Sequence, residues 1–213
     1  MGVITRVHVL RHGEVFNPEK VLYGRLPGYK LSDLGLRMAD RAAGFFSGRD
    51  ITYVVASPLT RAQQTAEPTA RHFGLAVQTD ADLIEAGNVF EGKRVAVGDG
   101  ALRSPKAWPH LWNPWRPSWG EPYVEIAARM RGAIHRARDA ARGHEAVCVS
   151  HQLPIWIARL DAEGRKFIHW PTKRQCSLAS VTTFVFDDDE LVAVEYSEPA
   201  ADLVAISHKG TGA

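Results

Sequence analysis

Three stretches of this chain set histidine or arginine at points where a strand should end or a helix begin. In Leu10-Arg11-His12-Gly13-Glu14 an apolar run meets a guanidinium, an imidazole and a glycine. The imidazole can offer a ring nitrogen to an electrophile, and the guanidinium fork matches phosphate oxygens. The glycine lets the backbone turn sharply beside a ligand. In Ala56-Ser57-Pro58-Leu59-Thr60-Arg61-Ala62, Arg61 falls in the first turn of an expected helix, where unpaired amides and the helix dipole already favour an anion. In Val147-Cys148-Val149-Ser150-His151-Gln152 a buried run ends in a second histidine at the mouth of another helix. Singly, each has a plainer reading: a basic residue at a strand end by chance, a solvated arginine, a histidine satisfied in the core.

For the three to meet, each must lie at the carboxyl end of a strand in one sheet, where open α/β sheets bind their ligands. The hydrophobic pattern supplies such strands at 3–10, 51–56, 75–78 and 146–149, and an antiparallel hairpin at 180–186 and 191–196 around Asp187-Asp188-Asp189. Between them run helical patterns. One opens on Ser32 as N-cap, with Leu34, Met38, Ala42 and Phe45 as its apolar stripe and Gly48 as its stop. A second starts at Ser57-Pro58, carries Leu59, Ala62, Ala66 and Phe73 inward, and is expected to kink at Pro68 before Gly74. A third, over 123–142, has Ile126, Met130, Ala133, Ala137 and Ala141 on one face, its arginines largely opposite and needing no function; a fourth covers 152–161. Strand–helix alternation ending in a hairpin argues for an α/β sandwich with a mixed sheet.

Residues 87–122 follow neither period. They hold four of the six tryptophans (Trp108, Trp112, Trp115, Trp119) and five of the twelve prolines, and read as an insertion over one face of the sheet within a single domain spanning 1–213. Most of these rings suit a local aromatic core. Arg25, Lys93, Arg94, Arg103 and Arg116 could read a second anionic group, with a solvated face as the plainer alternative. At 213 residues, 45% hydrophobic and 23% charged, the chain has an ordinary globular composition. A formal charge of +2 gives no reason to expect nucleic acid or a membrane surface as partner. Two cysteines, Cys148 and Cys176, make neither a disulfide framework nor a four-thiolate zinc site. With no signal-like or membrane-spanning run, a cytoplasmic setting is expected. No phosphate-binding P-loop, HExxH or Cys/His metal spacing occurs, and Gly98-Asp99-Gly100 lacks the full dinucleotide fingerprint, so no cofactor or metal is expected.

Taken together and in order, Arg11-His12-Gly13-Glu14, Ser57-Pro58-Leu59-Thr60-Arg61-Ala62-Gln63-Gln64-Thr65-Ala66 and Val149-Ser150-His151 resemble the histidine phosphatase superfamily, also called phosphoglycerate-mutase-like. The resemblance spans at least residues 3–155. It implies a three-layer sandwich with a mixed, mainly parallel sheet flanked by helices. It implies His12 as the nucleophile that becomes phosphohistidine, and Arg11, Arg61 and His151 as the cationic pocket around the phosphoryl group, with Asn17 assisting. Glu85, in Leu83-Ile84-Glu85-Ala86-Gly87-Asn88-Val89-Phe90-Glu91-Gly92, matches the general acid. Family members place one more residue before the closing Glu-Gly and carry Trp where Phe90 stands, so Asp82 remains the alternative acid. Gln152 replaces a common glycine.

The chemistry expected from that set needs no metal. Two arginines, and His151 if protonated, balance a phosphate monoester of nearly two negative charges. His12 must attack as neutral imidazole, so its other nitrogen should donate to a fixed acceptor such as a backbone carbonyl. The expected activity is a metal-independent phosphatase acting on a small phosphorylated metabolite. The alternatives are a phosphoglycerate-type phosphomutase and a non-catalytic phospho-ligand binder. The oligomeric state stays open, a homodimer included.

Overall fold

The computed structural model describes residues 2–89, 91–93, 120–169 and 173–207. Its centre is β1 (Ile4–Arg11), whose inner residues are buried because both faces of the sheet are covered. To one side lie β4 (Glu145–Ser150), β2 (Ile51–Ala56) and β3 (Gln78–Thr79), all running parallel. To the other lie β5 (Val181–Asp187) and β6 (Glu190–Ser197), paired antiparallel as a hairpin around Asp188, whose φ is +51°. The strand order is β3-β2-β4-β1-β5-β6, the mixed and mainly parallel sheet that the sequence implies.

Side-chain alternation sends successive residues of a strand to opposite layers. Ala146 and Cys148 of β4 join one core with Ile126, Met130 and Ala133 of α3 (Tyr123–Ala140) and Ile155 and Ile157 of α4 (Gln152–Ala162). Val147 and Val149 join the other, with Met38, Ala42 and Phe46 of α1 (Asp33–Phe46) and Ala62, Ala66 and Ala70 of α2 (Thr60–His72). A last short helix, α5 (Ala201–Val204), adds Leu203 to that second core. Ser32 caps α1 as expected, its Oγ accepting from Gly35 N at 3.0 Å.

Three local expectations change. The deepest ring of α1 is Phe46, not Phe45, which is only partly buried beside it. The strand placed at 75–78 shrinks to the two residues of β3: Leu75 and Val77 pack against the second core, and only Gln78 and Thr79 reach β2. Helix α2 begins at Thr60 with Leu59 as a cap lacking any side-chain bond, so Ser57-Pro58 is not its start; it then continues through Pro68 to His72. The expected insertion leaves and re-enters the fold through an antiparallel bridge between Asn88 and Gly120, backed by Glu121 N donating to Gly87 O. Its four tryptophans, with Arg94, Arg103 and Arg116, lie outside the described residues.

Candidate active site

The carboxyl ends of β1, β2 and β4 lie side by side, and the chain leaving each brings one piece of the site. Backbone bonds tie the three exits together: His12 N donates to Ser150 O at 3.1 Å, and Ser57 N to Val149 O at 2.9 Å. Past β1 the chain turns against α1 with no room for a side chain. A Cβ at Gly13 would stand 2.5 Å from Gly35 O, and one at Gly35 would stand 2.0 Å from Glu14 O. Gly13 N donates to Thr65 Oγ1 of α2 at 3.2 Å, so the arginine helix also fixes the histidine turn.

His12 is fully buried, and its Nδ1 lies 2.8 Å from Gly13 O. A carbonyl only accepts, so Nδ1 carries the proton and Nε2 keeps its lone pair. That is the arrangement expected of a neutral nucleophile. Burial first, then Arg61 and Arg11, holds its pKa well below the usual histidine value. The His151 ring stands 5.1 Å from that of His12, centroid to centroid. Its Nε2 is 2.8 Å from Ser57 Oγ. Burial, followed by His12 and the two arginines, keeps His151 neutral as well, so the pocket's positive charge rests on arginine and not on a protonated His151.

Arg11 donates to Cys176 O at 2.7 Å and Arg61 to Gly24 O at 2.7 Å, with the Arg61 guanidinium stacked 4.8 Å above the Tyr23 ring. Glu85 is buried beside both; its Oε1 accepts from Ala86 N at 2.8 Å. Burial raises its pKa, against the opposing pull of that amide, Arg61, Arg11 and Arg174. A carboxyl whose acid form is favoured this way is suited to deliver a proton. Asp82 points elsewhere, 2.6 Å from Arg136 on the outer face of α3. Asn17 turns both ends of its amide onto the backbone of Val21, donating to its O at 2.9 Å and accepting from its N at 3.2 Å, at the rim of the adjoining cavity.

Five residues brought together here each keep one buried polar atom without a hydrogen-bond partner: Arg11 Nε, His12 Nε2, Arg61 Nε, Glu85 Oε2 and His151 Nδ1. Orphaned buried groups cost about 1–3 kcal/mol each, so such a cluster marks a place built for something other than stability. Two guanidinium donors, one nucleophilic nitrogen, a second imidazole nitrogen and one carboxyl in a shared pocket suit a tetrahedral anion. Among the described residues no His/Cys/Asp/Glu group is arranged to hold a metal ion.

Several supporting residues escaped the sequence reading. Ser57 reads there as a helix cap, yet its hydroxyl serves His151. Arg129, one of the helix arginines given no function, grips Glu121 at 2.7 Å and donates to Asp82 O and Ile84 O, which fixes the loop carrying Glu85. Arg25, considered as an anion reader, donates to Glu85 O at 2.6 Å and pairs with Glu121 at 2.8 Å. Arg174 carries no motif at all and is found only by its place in space.

Comparison with known proteins places the chain in a family. The family model for the histidine phosphatase superfamily (branch 1) matches residues 7–199. The chain is 57% identical over 197 residues to Uncharacterized protein Rv0525 of Mycobacterium tuberculosis (strain H37Rv), covering 92% of this chain and 98% of that one. It is 28% identical over 187 residues to a probable phosphoglycerate mutase, GpmB, of Yersinia pestis, covering 83% and 84%. Among solved structures it is similar to mycobacterial glucosyl-3-phosphoglycerate phosphatase Rv2419c, with a TM-score of 0.72 at 26% identity, covering 92% and 98%. With the family model matched over residues 7–199, the chain belongs to the histidine phosphatase superfamily, whose members are phosphatases or phosphomutases.

Proposed function

We propose that the protein is a metal-independent phosphatase that hydrolyses a small phosphorylated metabolite through a phosphohistidine. The observation carrying this reading is the free lone pair on His12 Nε2, fixed by the Nδ1 bond to Gly13 O and accompanied by unpartnered guanidinium donors on Arg11 and Arg61 and an unpartnered ring nitrogen on His151. His12 Nε2 attacks phosphorus while the ester oxygen departs. Glu85 gives its proton to that oxygen, and the leaving alcohol diffuses away. Glu85, now ionised, takes a proton from water as the water oxygen attacks the phosphohistidine. The P–N bond breaks, His12 regains its lone pair, and inorganic phosphate leaves. The two guanidinium groups hold charge on the transferred oxygens without reorganising solvent. General acid–base help of this kind is worth about 10²–10⁴-fold.

The test is a rapid quench with ³²P-labelled substrate. Wild-type protein should carry acid-labile, alkali-stable label, and His12→Ala should carry none and release no phosphate. Label appearing unchanged in His12→Ala would refute the role of His12. A phosphomutase uses the same atoms and returns the phosphoryl group to substrate, as the name of the Yersinia relative suggests for that protein. Incubation with 3-phosphoglycerate, with and without 2,3-bisphosphoglycerate, separates the two: inorganic phosphate marks hydrolysis and 2-phosphoglycerate marks transfer.

A further inference from the structure

Beside the reacting cluster lies a cavity of ≈ 730 Å³ that shares Arg11 with it and is walled further by Phe16, Gln152, Leu178 and Arg174. Gln152 directly follows His151, so the cavity begins where the phosphoryl pocket ends. A group attached to a phosphoryl centre at His12 has room there, and its surroundings set what that group can be.

Besides Arg11, two cations among the described residues line this cavity, the exposed Lys20 and the more shielded Arg174. Its Nε donates to His169 Nε2 at 2.8 Å, and the His169 ring is oriented for that by its Nδ1 bond to Phe167 O at 2.6 Å. Its Nη1 lies 3.4 Å from Gln152 Oε1, and the Gln152 amide donates in turn toward Cys176 O, the carbonyl that also holds Arg11. Many other arginines of the described residues are matched by a carboxylate: Arg129 by Glu121, Arg131 by Asp161, Arg136 by Asp80 and Asp82. Arg174 forms no such pair among the described residues and is held only by neutral groups, although it is largely shielded from solvent. An unpaired, partly desolvated cation is costly and invites an anion. The nearest carboxyl of the cluster, Glu85, is the one that must be protonated at the start of the reaction and then offers no charge. Glu14, the one carboxylate lining the cavity among the described residues, is buried and takes the Ser32 hydroxyl at 2.5 Å.

Arg11 and Arg61 match the near-double charge of the phosphoryl group. Of the two further cations lining the cavity, Lys20 is exposed to solvent, which leaves Arg174 as the shielded positive charge on the leaving-group side. We propose that Arg174 is a specificity residue for a carboxylate on the leaving group, so that the preferred substrates are phosphorylated hydroxy acids rather than neutral phosphorylated alcohols. Gln152 and His169 are its positioning residues. This deepens the hydrolytic reading and rests on it for its kinetic arm.

The test compares 3-phospho-D-glycerate with sn-glycerol 1-phosphate, which share their configuration at the central carbon and differ only in carboxylate against hydroxymethyl. In wild type the ratio of their kcat/KM values should favour the acid by about tenfold or more, the size expected for a charge-assisted contact. Arg174→Gln should collapse that ratio towards one, and Arg174→Lys, which keeps the charge without the fork, should retain part of it. A wild-type ratio near one, or one that Arg174→Gln leaves unchanged, overturns the proposal. If Arg174→Gln does not fold, the wild-type ratio and Arg174→Lys still decide. If wild type releases no phosphate from either compound or from p-nitrophenyl phosphate, the hydrolytic reading alone fails. Calorimetric binding of the same pair to wild type then reads Arg174 directly: tighter binding of the acid, lost in Arg174→Gln, upholds the inference, and equal binding overturns it.

Discussion

A carboxyl and an imidazole a few residues' width apart can do opposite jobs only if their surroundings hold them in opposite protonation states. Burial pushes the two apart here: it lifts the Glu85 pKa, favouring the acid form, and depresses that of His12, favouring the neutral nucleophile. The pH dependence follows. With an alkyl phosphate, the rate should fall as pH rises through the elevated Glu85 pKa, and Glu85→Gln should abolish that limb while slowing the reaction about 10²-fold or more. With p-nitrophenyl phosphate, whose phenolate leaves without help, the loss on phosphorylation of His12 should be far smaller. Equal losses on the two substrates would remove Glu85 from the acid role. Asp82 serves as the internal comparison: Asp82→Asn breaks a half-exposed pair with Arg136 and should leave the leaving-group dependence as it is.

At the level of elements, the histidine turn depends on contact between backbones. Gly35→Ala in α1 would drive a methyl into Glu14 O, 2.0 Å from its ideal position, and neither partner is a movable side chain. The expected result is about 1–3 kcal/mol of lost stability together with a displaced His12, seen as a lower denaturation midpoint and reduced turnover. Gly44→Ala in the same helix meets nothing within 4 Å and should instead stabilise by about 0.5–1 kcal/mol. The contrast also shows what the sequence could disclose. Period and capping revealed α1 with its Ser32 cap, the inward face of α3 and the hairpin, because those features are local. The His12, Arg61 and His151 stretches were legible because each follows a strand. Ser57 was misread because a hydroxyl before proline has the same local look whether it caps a helix or serves an imidazole 94 positions away. Arg174 and Arg129 gave no local signal: one gains its meaning from a cavity wall, the other from a loop that folds back across α3.

For the molecule as a whole, burying three neutral histidines makes the fold sensitive to acid. His8, His12 and His151 all have pKa values lowered chiefly by burial, the Glu145 partner of His8 notwithstanding. The unfolded chain therefore takes up protons below about pH 6.5 that the folded chain refuses, and stability drops as pH falls from there. Each fully excluded proton contributes a slope of about 1.4 kcal/mol per pH unit. Glu85, with its raised pKa, acts in the opposite sense and offsets part of one histidine's share. Denaturant midpoints at pH 7.5 and 5.5 should differ accordingly, and His8→Gln, remote from the reacting cluster, should flatten the slope. A midpoint independent of pH over that range would contradict the account. The same molecule also anchors its candidate proton donor from two sides. Arg129 clamps the stretch just before Glu85, while Asn88 and Gly120 pinch the chain just after it. With both flanks tied, the Glu85 carboxyl holds its aim without help from its own side chain's single amide bond, and a blow to one anchor still leaves the other in place.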